Sequence, residues 1–190
     1  GAIAQQNAEA LFMVALAQFV RPGTPVVYGA FTSNVDMRTG SPAFGTPESV
    51  KSQFASGQLA RRYGLPWRSS NATAAPVVDA QAAYEAEMAV WGAIMGGVNL
   101  LYQGAGWLEG GLTASYEKLI LDAEILQMMS EVLQPVVVDE ASLGFDAIAD
   151  VGPGGHFFGT AHTLERYETA FYRPMLSDWR NFETWHADGA

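Results

Sequence analysis

The sequence predicts an α/β protein built from strand, loop and helix units around a parallel sheet, and three observations predict it. Short apolar runs bounded by glycine or proline occur at Pro25-Val26-Val27-Tyr28-Gly29, at Leu65-Pro66-Trp67-Arg68-Ser69-Ser70 and at Leu100-Leu101-Tyr102. Each is followed by a loop and then by a stretch of helical periodicity, and the unit recurs at about forty residues. Hydrophobic residues make up 49 % of the chain and charged ones 16 %, a globular and apolar composition. A length of 190 residues can bury a sizeable core, and the chain reads as one domain over 1–190. A complete eight-unit α/β barrel typically needs about 250 residues.

The amino-terminal helix is read over 3–20, where Leu11, Phe12, Ala15, Leu16 and Phe19 recur at helical steps and face a core, and Arg21-Pro22-Gly23 closes it. The strand at 25–29 is expected to be buried on both faces. Its following loop, 30–45, is long and polar, as functional loops inside compact domains are. Thr46-Pro47-Glu48 starts the next helix: Thr46 caps free amides, Pro47 suits the first helical position, and Glu48 suits the positive end of the dipole. That helix runs to about Tyr63. After the strand at 65–70, Asp79 caps a helix reaching about Met95.

The next stretch, 99–111 (NLLYQGAGWLEGG), passes from strand to glycine-rich loop and hands over at Ser115 to what reads as the longest helix, 115–133. In a parallel α/β protein, ligands bind at loops that follow the carboxyl ends of strands, so Trp107 and Glu109 are pocket candidates there. The alternative is that Trp107 caps the core and Glu109 is solvated. Beyond Gln134, 135–138 reads as a strand or a lead-in, 142–151 as a short helix, 152–159 as a second glycine-rich loop, and 163–172 as a last helix. The aromatic tail from Pro174, with Trp179 and Trp185, is expected to pack.

Ten Lys and Arg stand against twenty Asp and Glu, a net charge of −10, and only Lys51 and Lys118 are lysines. A nucleic-acid footprint is therefore excluded. With no cysteine, neither a disulfide framework nor a thiolate site is available, and a cytoplasmic location is the default. The first residues lack the basic region of a signal peptide, and no apolar run reaches the length of a membrane span.

His156, His162 and Glu165 lack a third clustered ligand, so no metal site is expected. Ser69 and Ser70 lack a Gly-x-Ser-x-Gly elbow, and 152–155 lacks the spacing of a phosphate loop. Aromatic residues are the better clue. Tyr28, Phe31, Trp67, Tyr102 and Trp107 fall at or just past strand ends, where they could converge on one mouth. Converging rings in an acidic protein suit a tertiary or quaternary ammonium, which cation–π attraction holds. Packing of single rings beneath helices is the alternative.

Four segments, Tyr28 to Gly40 (YGAFTSNVDMRTG), Gln58 to Pro66 (QLARRYGLP), Gly104 to Leu112 (GAGWLEGGL) and Gly152 to Phe157 (GPGGHF), resemble the trimethylamine methyltransferase (MttB-like) family. The resemblance implies a TIM barrel, of which this chain would be the carboxyl-terminal half or so. It also implies an enzyme of one-carbon metabolism that takes a methyl group from a methylated amine and passes it to the cobalt of a corrinoid (cobalamin) protein. The corrinoid would be carried by that partner, with no cofactor bound directly. No pyrrolysine is present, so the chain resembles the branch that favours quaternary amines such as glycine betaine.

In that setting Tyr28, Phe31, Tyr102 and Trp107 would surround the ammonium, and Glu109 would add negative charge or fix the loop. Asn34, Asp36, Arg68, Asn71, Gln103 and His156 would hold a substrate carboxylate or order the mouth, Arg68 by bidentate pairing. The protein would form homo-oligomers. Two other readings stay open: a non-catalytic binding module for cationic methylated amines, and an unrelated barrel lyase or isomerase, which would need a buried lysine or a metal.

Overall fold

The computed structural model describes residues 1–29 and 32–189. Helix α1 (Ala2–Val20) leads to strand β1 (Tyr28–Gly29), the short strands β2 (Asn34–Val35) and β3 (Pro42–Ala43), helix α2 (Pro47–Arg62) and strand β4 (Trp67–Ser70). Helix α3 (Ala80–Met95), strand β5 (Leu100–Tyr102), strands β6 (Trp107–Leu108) and β7 (Thr113–Ala114), and helix α4 (Tyr116–Val132) follow. Helices α5 (Glu140–Leu143), α6 (Phe145–Val151), α7 (Ala161–Leu164) and α8 (Phe182–Ala187) complete the order.

Strands β1, β4 and β5 form one parallel sheet with β4 in the middle, in the order expected of successive βα units. The alternation of side chains across a strand separates two faces. Tyr28, Trp67 and Ser69 share the face covered by helices. Trp67 lies against Gly57 of α2 and Gly96 after α3, where a Cβ at either glycine would meet its ring. Tyr28, Ala60 and Trp67 form a core cluster. Arg68 and Ser70, in register with Leu100 and Tyr102, share the opposite face.

The capping readings hold. The Thr46 hydroxyl accepts from the Ser49 amide in a capping box with Pro47 at the helix start, and Asp79 accepts from the amides of Gln81 and Ala82. Other expectations are corrected. No residue of α1 is buried, and Phe12, Leu16 and Phe19 are exposed, because α1 packs mainly on β1 and α2. The first strand is just two residues long, and Val27 before it is half exposed. The loop at 30–45 contains the β2–β3 hairpin, and α1, at 19 residues, is longer than α4, at 17.

The chain divides into two compact units, 1–126 and 127–190. In the second, 135–138 is not a strand and its valines are exposed. The helix read over 142–151 breaks into α5 and α6 at Gly144, whose φ of 59° is left-handed and ends the first helix. Of the last predicted helix, 163–172, only the first two residues are helical, at the end of α7, and Trp179 is exposed. Among the described residues no helix is long and apolar enough to cross a membrane.

Candidate functional site

The carboxyl ends of β4 and β5 point the same way, so the loops that follow them meet at one edge of the sheet. Side chains of the first loop hold the backbone of the second. Asn71 Nδ2 donates to the Gly104 carbonyl at 2.9 Å, and Thr73 Oγ1 donates to the Trp107 carbonyl at 2.9 Å. The Ser70 hydroxyl donates to Gln103 Oε1 at 3.0 Å. Backbone amides of Glu109 and Gly110 donate to the carbonyls of Ala75 and Thr73. The first loop is itself held by Glu85, a buried carboxylate of α3 that accepts from the amides of Ala74 and Ala75.

Two non-glycine residues of the β5 loop, Gln103 at φ 53° and Glu109 at φ 50°, occupy the left-handed region, which β-carbons disfavour. Backbone kept in such a conformation needs the surrounding contacts to impose it, and these residues lie where ligands bind in parallel α/β folds. From α4, Asp122 Oδ2 accepts the Gly106 amide at 2.8 Å, and Asp122 Oδ1 receives Lys118 Nζ at 2.5 Å. Lys118 and Asp122 are both 0 % exposed.

On the face of the sheet away from α2 and α3, the Arg68 guanidinium lies 5.4 Å from the centroid of the Tyr102 ring, which is 55 % exposed. The Arg68 side chain crosses Gly29 of β1, where a Cβ would lie 3.4 Å from Nε. Arg68 also lines an open cleft with Gln6, Glu9, Gly29 and Thr32. Asn71 is 0 % exposed, and its Oδ1 has no hydrogen-bond partner among the described residues.

Of the residues singled out from the sequence, Arg68, Asn71, Tyr102, Gln103 and Trp107 gather at or beside these strand ends. Glu109 is near by sequence but exposed, its carboxylate accepting from the Thr113 hydroxyl at 2.7 Å. Tyr28 does not join them. Its ring is fully buried on the helix side, and its hydroxyl donates to Asn7 Oδ1, because residue 28 falls in the register of Trp67 rather than of Arg68.

Asn34 accepts from the Thr46 hydroxyl in the β2–β3 hairpin. Asp36 closes the hairpin turn, accepting from the Thr39 hydroxyl and from the amides of Arg38 and Thr39. The Thr39 hydroxyl first, then the Arg38 amide, holds its carboxyl below the usual carboxylate range. His156 belongs to the second unit, where it is exposed and lies 5.9 Å from the Phe158 ring. Phe31 lies outside the described residues. Sequence reasoning missed Asp122, Lys118, Thr73 and Glu85. Only the four-residue spacing of Lys118 and Asp122 on one helix gave a signal of their pairing. Among the described residues no three His, Cys, Asp or Glu side chains cluster as a metal site would require.

A parallel βα protein with an arginine and an aromatic ring stacked on the open face of its sheet, beside a tightly held loop, defines the class. The model of the trimethylamine methyltransferase (MTTB) family matches residues 1–190, and the chain belongs to that family. It is 44 % identical over 186 residues to the glycine betaine methyltransferase of Desulfitobacterium hafniense strain Y51, covering 97 % of this chain and 39 % of that protein. It is 37 % identical over 193 residues to trimethylamine methyltransferase MttB1 of Methanosarcina acetivorans, covering 100 % of this chain and 38 % of that protein. To trimethylamine methyltransferase MttB of Desulfitobacterium hafniense strain DCB-2 it is 32 % identical over 191 residues, covering 100 % and 38 %. The chain thus spans less than two fifths of the length of these curated relatives, and it matches proteins named as methyltransferases.

Proposed function

We propose that this chain forms part of a TIM-barrel methyltransferase that takes a methyl group from a quaternary amine such as glycine betaine. The Arg68–Tyr102 stack carries the reading: a ring that holds a guanidinium 5.4 Å from its centroid is placed to attract an ammonium, and the guanidinium beside it can pair with a carboxylate. A betaine carries both charges within one small molecule. The three relatives are named for glycine betaine or trimethylamine, both methylated amines, which supports the class.

A quaternary nitrogen already bears the charge that makes it a leaving group. When the carbon–nitrogen bond breaks, its electron pair goes to nitrogen and a neutral tertiary amine departs, so no nucleophile from the protein is required. What the chain has to supply is orientation and exclusion of water. Arg68 and Tyr102 fix the two ends of the substrate, Trp107 and the loop at 103–109 close one side, Gln103 offers a polar contact, and buried Asn71 holds the loop from below. This set of neutral and cationic nitrogen and oxygen donors fits a small organic ion, and the reading keeps the corrinoid on a separate protein. Its cobalt would be the methyl acceptor that supplies the electron pair for the new bond to carbon.

Calorimetric titration with glycine betaine, trimethylamine and tetramethylammonium tests this. The chain is titrated alone and in a chimaera in which it replaces the matching region of the D. hafniense betaine methyltransferase. Betaine binding in the chimaera, weakened about tenfold by Tyr102→Leu, supports the proposal. Betaine binding that Tyr102→Leu and Arg68→Met both leave unchanged overturns it. Binding without methyl transfer to cob(I)alamin or a corrinoid protein would favour the binding-module reading.

A further inference from the structure

The two lysines of this chain have different fates: Lys51 is exposed, whereas Lys118 is fully buried. Nothing in helix stability favours Lys118 where it stands. It sits in the first turn of α4, at the end of the helix where the dipole disfavours a cation, and a buried ion pair is often no more stable than apolar residues of the same volume. A barrel lyase would use a buried lysine as a nucleophile, but Lys118 projects from a helix and its amine is bonded to Asp122 Oδ1.

The other oxygen of Asp122 accepts the amide of Gly106, a residue at φ +89° where the loop passes close to α4. A Cβ there would lie 3.6 Å from both Leu119 Cβ and the Ser115 carbonyl. The Gly106 carbonyl in turn accepts from the Ser115 amide at 2.9 Å, so both backbone polar groups of Gly106 are tied, one to α4 and one to the residue before it. Gly106 directly precedes Trp107, and it sits between the two left-handed residues Gln103 and Glu109.

We propose that Lys118 and Asp122 are positioning residues: Lys118 neutralises and orients Asp122, and Asp122 latches the Gly106 amide so that the 103–109 loop presents Trp107 to the site. The inference rests in part on the functional reading above, since it assigns the loop to amine binding. Helix geometry assembles the latch locally, because residues four apart lie on one side of α4.

Two double variants separate the latch from mere stability. K118M/D122N removes both charges but keeps a side-chain oxygen able to accept the Gly106 amide. K118M/D122L removes both charges and the acceptor. Amide hydrogen exchange, followed by mass spectrometry or NMR, reads the loop directly. Protection at Gly106 and Trp107 should fall about ten- to a hundredfold in K118M/D122L and stay within about threefold of the parent in K118M/D122N, with β4 unchanged in both.

Equal protection in the two variants overturns the latch, as does a loss spread evenly over 1–126. Glycine betaine affinity, measured in the same chimaera, should fall with K118M/D122L and return with K118M/D122N. Unchanged affinity despite a loosened loop overturns the role in binding. If the parent chimaera binds no betaine, the functional reading fails, and the exchange comparison still decides the latch.

Discussion

Two loops that follow strands of the same sheet are held in opposite ways. The β2–β3 hairpin is tied mainly by its own residues: Asp36 accepts from Arg38 and Thr39, and the Asp36 amide donates to Ser41. The loop after β5 is tied from elsewhere, by Asn71 and Thr73 of the β4 loop and by Asp122 of α4. The first is exposed, and its turn is satisfied by short-range bonds. The second contains two strained non-glycine residues, and distant buried groups impose its shape. Long-range fixing of one loop and local fixing of the other locate where backbone position matters.

The contrast can be broken most severely at α4. Asp122→Ala strips Lys118 of its buried partner and should destabilise the protein by about 3–5 kcal/mol, read as a shift in urea midpoint. Asp36→Ala in the exposed hairpin should shift that midpoint far less than Asp122→Ala does. A smaller loss, about 1–3 kcal/mol, is expected from Glu85→Gln, which removes the charge that binds the amides of Ala74 and Ala75, and exchange should quicken first at those two amides.

Gly29→Val sharpens the comparison at the ligand. Its branched side chain would meet Arg68 Nε and move the guanidinium off Tyr102. On the function proposed above, glycine betaine affinity of the chimaera should drop about tenfold while that for tetramethylammonium, which has no carboxylate, changes little.

The gentlest test is acid. The Asp36 carboxyl is held below its ordinary value, chiefly by the Thr39 hydroxyl, so the unfolded state binds the proton more readily. The hairpin's stabilisation is then fully present above the usual carboxylate pKa and is lost as pH falls through the lowered folded value. Exchange at Arg38 and Thr39 should rise there.

What was legible follows the same division. Thr46 and Asp79 accept amides two or three residues away and Pro47 fits the first helical position, so these helix starts could be read directly, as could the succession of strands and helices. Tyr28 could not be placed, because its face depends on register with Trp67 across the sheet. Nor could Asn71, whose partner Gly104 is thirty-three residues away. The helix predicted over 163–172 failed after Leu164 because periodicity alone does not supply the packing that sustains a helix.

The sequence by itself determined the local elements of this protein: helix caps, glycine breaks, the βα order, and through long motifs its family. Tertiary structure alone decided which aromatic faces the open side of the sheet, that Arg68 stacks on Tyr102, and that a lysine and an aspartate buried in α4 reach the loop before Trp107. Those outcomes depend on strand register and on the burial of charge, both set by contacts between residues far apart in the chain.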